Sequence, residues 1–213
     1  MAEPASKGKI IQSAWTLLSQ VGVDQFSMRK LAKEVGITAS TLYWHFPNKD
    51  AIFAEMVDEV CAEALGAFKV ESSWQTQLVS DGMVFAKKLR QRPFSAELLF
   101  ITPPTTEHFW RVNEQFLKTV DGLTLADSEK FTIISIYLDF ILTFERDRQL
   151  HQQNADLRGK NQQPPATNLP ANIPILTRMY QQGDFNQMDR DSTLEWSLTT
   201  LVKGFEQRQQ ETE

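Results

Sequence analysis

The sequence predicts an all-α fold, a short three-helix head on a larger helical body. Three observations predict it. Apolar residues recur at three- and four-residue steps through almost the whole chain, which places them along one face of successive helices. Glycine, proline and short polar capping residues fall between those runs, and no convincing strand, hairpin or internal repeat interrupts them. The composition, 41 % hydrophobic and 23 % charged, suits a folded core and not a disordered chain. A length of 213 residues fits one ordinary domain with an appendage, or two small ones.

Ser6 can cap a first helix whose inner face holds Ile10, Ile11, Ala14, Leu17, Leu18 and Val21, and Gly22 can end it. Ser27 can cap a second, with Met28, Leu31, Ala32 and Val35 inward; Gly36 supplies a backbone position where positive φ is cheap. Thr38 can cap a third, running to about Phe46, where the restriction that Pro47 places on its predecessor stops it. Asn48 opens a fourth, with Ile52, Phe53, Met56, Val57 and Val60 on its apolar side. Further helices are expected over residues 74–89, 95–100, about 105–120, 127–148, 174–182 and 191–207. Residues 151–172, rich in Gln, Asn and Pro and without apolar spacing, are expected to form a mobile surface loop. The division that follows is a head over residues 1–49 and a body over residues 50–213.

Charge separates the same two regions. The whole chain carries −5, but residues 1–49 hold Lys7, Lys9, Arg29, Lys30, Lys33 and Lys49 against Glu3, Asp24 and Glu34, a net +3 that leaves −8 for the rest. A basic head on an acidic body is the distribution of a DNA-binding appendage on a separate core. The lone cysteine, Cys61, excludes an internal disulfide and a thiolate metal site. No N-terminal run resembles a signal peptide and no apolar stretch approaches the roughly 20 residues of a membrane span, so a cytoplasmic location is expected.

Residues 27–49, SMRKLAKEVGITASTLYWHFPNK, encode two short helices joined by a tight turn at Gly36. Leu31, Ala32, Val35, Ile37, Leu42 and Phe46 can pack the pair together, and the small Ala32 permits close approach. Outside remain Thr38, Ala39, Ser40, Thr41, Tyr43, Trp44 and His45, hydrogen-bonding or flat side chains with no acid among them. Such a helix fits the DNA major groove, about 12 Å wide. Hydroxyls and the helix N-terminus can reach phosphates. Ala39 suits a thymine methyl, Arg29 suits the O6 and N7 edge of guanine, and Lys49 can neutralise a phosphate. Tyr43 and Trp44 are neighbours pointing about 100° apart on a helix, so one core does not readily take both.

The pattern R-K-L-A-x-x-x-G-x-x-x-x-T-L-Y-W-H followed by N-K, over residues 29–49, resembles the DNA-binding region of the tetracycline-repressor (TetR) family. That resemblance implies a helix-turn-helix reading head made of the first three helices. It implies that Arg29 and the start of the recognition helix read bases. Ser27, Thr41, Tyr43, His45 and Lys49 would hold the DNA backbone. Where tetracycline repressors proper have Gln-Pro, this chain has Ala39-Ser40; Gln pairs bidentately with adenine and Ala does not, so a different operator is expected.

Past residue 70 the resemblance continues through Ser73, Trp74, Gln75, Phe85, Thr102, Pro104 and Gln115. It implies an all-helical ligand-binding and dimerisation body, with late helices pairing across a two-fold axis. Independently, Leu194, Leu198, Leu201 and Phe205, spaced four, three and four residues apart, form a seam suited to another helix, and they are the expected homodimer interface. The ligand candidates are the apolar Phe85, Leu99, Phe109, Phe116, Tyr137 and Phe140 and the polar Asp81, Thr102 and Gln115. By the resemblance, Leu99 stands where the repressors carry a magnesium-binding histidine, about Leu65 where a second histidine meets the drug, and Asp81 where they carry a drug-binding asparagine. No metal and no cofactor is therefore expected, nor sensing of a magnesium–tetracycline complex. An acid at position 81 would favour a cationic or hydroxyl-rich ligand.

The sequence holds no G-x-S-x-G, G-x-x-x-x-G-K-[ST] or H-E-x-x-H pattern, so no enzymatic activity is expected. The reading that results is a ligand-responsive regulator binding a double-stranded DNA operator as a homodimer, with an unidentified small-molecule effector. A DNA-binding regulator without an effector, and more remotely an all-helical enzyme, stay open at this level.

Overall fold

The computed structural model describes residues 6–158, 170, 172–187 and 189–211. Among them are ten α-helices, one 3-10 turn and no strand. The head comprises α1 (Lys7–Gln25), α2 (Met28–Val35) and α3 (Ala39–His45). The helix α4 (Lys49–Leu65) leads out of it. The body continues with α5 (Trp74–Gln91), α6 (Ser95–Ile101), α7 (Glu107–Asp121), α8 (Asp127–Arg158), α9 (Pro174–Gln182), the 3-10 turn Asp184–Gln187 and α10 (Asp191–Gln210).

Side-chain caps set the helix starts. Ser6, Ser27, Thr38 and Asn48 each accept a hydrogen bond from the backbone N–H three residues on, at 3.3, 3.3, 3.1 and 2.8 Å. Each satisfies a donor that the helix cannot, a contribution of about 1 kcal/mol. Ser73 and Thr76 add a reciprocal capping box at the start of α5. The regular part of α1 breaks at Gly22 (φ 70°), and Gly36 (φ 78°) closes α2 in the left-handed region. Phe46, before Pro47, is extended (φ −138°) and ends α3.

In the body, α10 packs against α5 and α8. The junction rests on Gly82, where a Cβ would lie 2.5 Å from Tyr137 Oη and 2.9 Å from Leu198 Cδ1. No larger residue fits there without displacing one of them. This corrects the expected dimer seam. Leu194 and Leu198 are fully buried within their own chain, and Leu201 and Phe205 pack partly against the same core. The seam's helical partners are α5 and α8, which a spacing pattern does not distinguish from a helix of a second copy.

The expected loop is corrected as well. The helix α8 runs on through residues 151–158. That stretch lacks apolar spacing, but Gln, Ala, Leu and Arg are good helix formers, so helix without a buried face is available to it. Residues 159–169 and 171 lie outside the described residues.

Candidate nucleic-acid interface and ligand core

The helix α3 buries only Leu42. Thr38, Ala39, Ser40, Thr41, Tyr43 and Trp44 are exposed, Trp44 to 82 % and Tyr43 to 52 %, so neither aromatic is spent on the core. The Trp44 and His45 rings meet edge to face at 4.7 Å. Thr38 and Thr41 share a hydroxyl contact at 2.9 Å over the helix N-terminus. Arg29, Lys30 and Lys33 project from α2 into solvent, and the Ser27 hydroxyl is engaged as the α2 cap. Behind this face Leu31, Ala32, Val35, Leu42 and Phe46 are buried together. Hydroxyls, an aromatic pair and a guanidinium thus stand out from a rigid two-helix unit.

Lys49 is placed differently from its neighbours. Its Nζ donates to Val23 O at 3.1 Å and lies 4.9 Å from the centre of the Phe53 ring. The ammonium closes the head from inside, tying the start of α4 to the end of α1.

The structure buries Asp81 completely. Its carboxylate accepts from Gln77 Nε2 at 2.9 Å and Gln115 Nε2 at 3.4 Å. Burial pushes its pKa above the ordinary carboxylate range, against the opposing pull of the two amides. Phe85, Phe116 and Tyr137 are buried beside one another, with Phe116 centred 6.1 Å from each of the other two rings. Tyr137 Oη donates to Leu78 O at 2.7 Å. Leu99 and Thr102 are buried on and just after α6, while Phe109 and Phe140 pack partly against the core from α7 and α8. Asp81, Gln115 and the three aromatics are therefore brought into one polar-and-aromatic core. Cys61 is also buried, its thiol pushed up to about 12 by burial and by the nearby Asp58, so it is no nucleophile.

Two long-range connections made by α4 escaped the sequence reading. Glu59 on α4 accepts from Trp15 Nε1 on α1 at 2.7 Å and pairs with Arg92, after α5, at 3.2 Å; Arg92 also reaches Glu63 at 2.8 Å and lies over the Trp15 ring. One residue earlier on α4, Asp58 accepts from the backbone N–H of His108 at 2.8 Å and meets His108 Nδ1 at 2.7 Å. Burial penalises the Asp58 carboxylate, but its hydrogen bonds with His108 prevail and hold its pKa below the ordinary value. These partners lie 29 to 50 residues apart, and no local pattern signals them.

A helix-turn-helix head on an all-helical body, with an exposed and non-acidic third helix, defines a DNA-binding regulator. The comparisons with known proteins agree. Residues 10–56 match the family described as bacterial regulatory proteins, tetR family, and residues 69–209 match the tetracyclin repressor-like C-terminal domain. The chain belongs to the tetR family of transcriptional regulators. It is 30 % identical to the class D tetracycline repressor protein of Escherichia coli over 94 % of this chain and 89 % of that one. Its fold is similar to apo ActR from Streptomyces coelicolor (TM-score 0.78, 19 % identity, all of both chains). It is also similar to a single-residue variant of TetR from Acinetobacter baumannii AYE solved in complex with minocycline (TM-score 0.70, 22 % identity, 96 % of this chain and 98 % of that one).

Proposed function

We propose that this chain is a homodimeric repressor that leaves a palindromic DNA operator when a small molecule other than magnesium–tetracycline enters its body. The observation that carries the coupling is Glu59. One carboxylate on α4 is held by Trp15 of the head and by Arg92 of the body. A ligand that shifts the α5–α6 turn therefore shifts the seat of the reading head. An effector needs only different affinities for the two arrangements, and about 1–3 kcal/mol of coupling is typical.

In this reading Arg29 and the exposed start of α3 contact bases, while Ser27, Thr41, Tyr43 and His45 hold phosphates. Asp81 supports a ligand that is cationic or rich in hydroxyls, because such a group restores the solvation that the sealed carboxylate lacks. Leu99 offers no donor atom to a metal, which supports the exclusion of magnesium–tetracycline. For the dimer contact, the outward strip of α10 takes over from Leu194 and Leu198: Trp196 is 69 % exposed, and Thr200 and Gly204 follow at four-residue steps. Trp196→Glu is expected to yield monomers in sedimentation.

The test is operator affinity at fixed salt, without ligand and with compounds that raise the melting temperature in a screen containing minocycline with magnesium. A stabilising compound that weakens DNA binding at least several-fold, with minocycline inert, supports the proposal. Equal affinity of free and saturated protein contradicts it. The close packing of Phe85, Phe116 and Tyr137 favours one other reading, a body that only dimerises, and any compound that shifts operator affinity excludes that.

A further inference from the structure

Away from the Asp81 core, a second cavity of about 400 Å³ opens between the C-terminal half of α8 and the stretch from α9 to the 3-10 turn. That volume lies within the range of small-molecule sites. Its apolar wall is Phe144 from α8, Met179 from α9 and Phe185 from the 3-10 turn. Phe185 is 47 % and Met179 38 % exposed, with Phe185 beside the Tyr180 ring at 5.9 Å. Exposed apolar side chains lining a concave surface mark a place where something binds.

Three carboxylates and one arginine line that wall. Asp147, Asp184 and Asp189 line the cavity, all three are solvent-exposed, and none forms an ion pair with a described residue. One permanent cation, Arg148, lies beside them, and it is committed elsewhere. Its Nη1 bonds Asp191 at 2.8 Å, its guanidinium lies over the Phe144 ring at 5.2 Å, and its side chain is only 5 % exposed. Its Nε and Nη2 have no hydrogen-bond partner among the described residues and are sealed from solvent. His151 also lines the cavity.

We propose that this cavity is a second small-molecule site, selective for lipophilic organic cations: Phe144, Met179 and Phe185 take the apolar body, and Asp147, Asp184 and Asp189 take the charge. Aromatic faces and nearby carboxylates both favour a weakly hydrated cation and disfavour an anion of the same shape. The site is separate from the core around Asp81, Phe85 and Tyr137, and it does not depend on that core being the effector pocket.

Tetraphenylphosphonium and tetraphenylborate, ions of matching shape and opposite charge, test this directly. Binding of each to the full chain is followed by calorimetry at low and high salt. The expected result is saturable binding of the phosphonium at least tenfold tighter than of the borate. Asp184→Asn with Asp189→Asn should weaken the phosphonium about tenfold, and Phe185→Ala several-fold. These three cavity residues are exposed, so the variants should keep the wild-type melting temperature, which is measured alongside. Equal or tighter binding of the borate would overturn the charge selection. Phosphonium binding that ignores the Asp184, Asp189 and Phe185 substitutions, or no binding at millimolar concentration, would overturn the site.

Discussion

The head wears its functional chemistry outside, and the body keeps its own inside. On α3 one side chain is buried and the hydroxyl and aromatic groups face solvent; in the body Asp81, Phe85, Phe116 and Tyr137 are all withdrawn from it. On the outer face of α3, binding and stability are expected to be separable, because Thr41, Tyr43 and Trp44 stand outside the core. In the core around Asp81 they are not, because every candidate ligand contact there is also a packing contact. Substitutions can break that comparison or sharpen it.

The largest effect is expected on α3. Thr41→Ala with Tyr43→Ala should weaken operator binding by at least about 100-fold, since each would remove a hydrogen bond to a charged phosphate worth about 1.5–3 kcal/mol. The melting temperature should hold, because exposed positions rarely shift stability by more than about 0.5 kcal/mol. Fluorescence anisotropy with operator DNA, read beside a thermal melt, checks both; a large drop in melting temperature would end the separation. Gly82→Ala should do the converse. Overpacking against Tyr137 and Leu198 should cost about 1–3 kcal/mol in urea unfolding, with the folded fraction binding DNA normally. Unchanged stability would mean that α5, α8 and α10 meet more loosely than the structure has them.

Asp81 should leave a signature in pH. Its pKa is raised on folding, so its contribution to stability is fully present below the ordinary carboxylate pKa of about 4 and is lost as pH rises through the higher folded value. Asp81→Asn should remove that decline in urea melts taken from about pH 4 to pH 7. Asp58 works in the other direction. Its lowered pKa gives stability that is present above the ordinary value and lost on acidification through the folded one, so its substitution should not reproduce the effect. A wild-type profile indistinguishable from that of Asp81→Asn would show that the carboxylate is not sealed in solution.

The smallest effect separates two roles for Lys49. Turned inward onto Val23 O, it should contribute about 1 kcal/mol of stability, and Lys49→Ala should leave the salt dependence of DNA binding unchanged. A fall in the salt slope by about one would instead show the ammonium swinging out to a phosphate, the role its place in the TetR-like motif implies.

The same contrast governs how much was legible in the sequence. Helix starts and the end of α2 were, because Ser6, Ser27, Thr38, Asn48 and Gly36 act on backbone groups within four residues. The exposed face of α3 was too, since once Leu42 and Phe46 are assigned inward the others have nowhere else to go. Leu194 and Leu198 show where this stops: spacing marks a face as apolar without saying which surface covers it. The burial of Asp81 and the double grip on Glu59 depend on side chains tens of residues away. Residues 151–158 mislead in another way, because polar composition removes a packed face without removing helix.

The most direct test of the division between reading head and regulating body is selection of bound sequences from a random DNA pool at physiological salt, with wild-type protein and the Thr41→Ala, Tyr43→Ala variant side by side. The expected result is a palindrome with half-sites about one helical turn apart from the wild type and none from the variant. Equal enrichment from both, or a recovered site without two-fold symmetry, would contradict a dimer that reads DNA through α3.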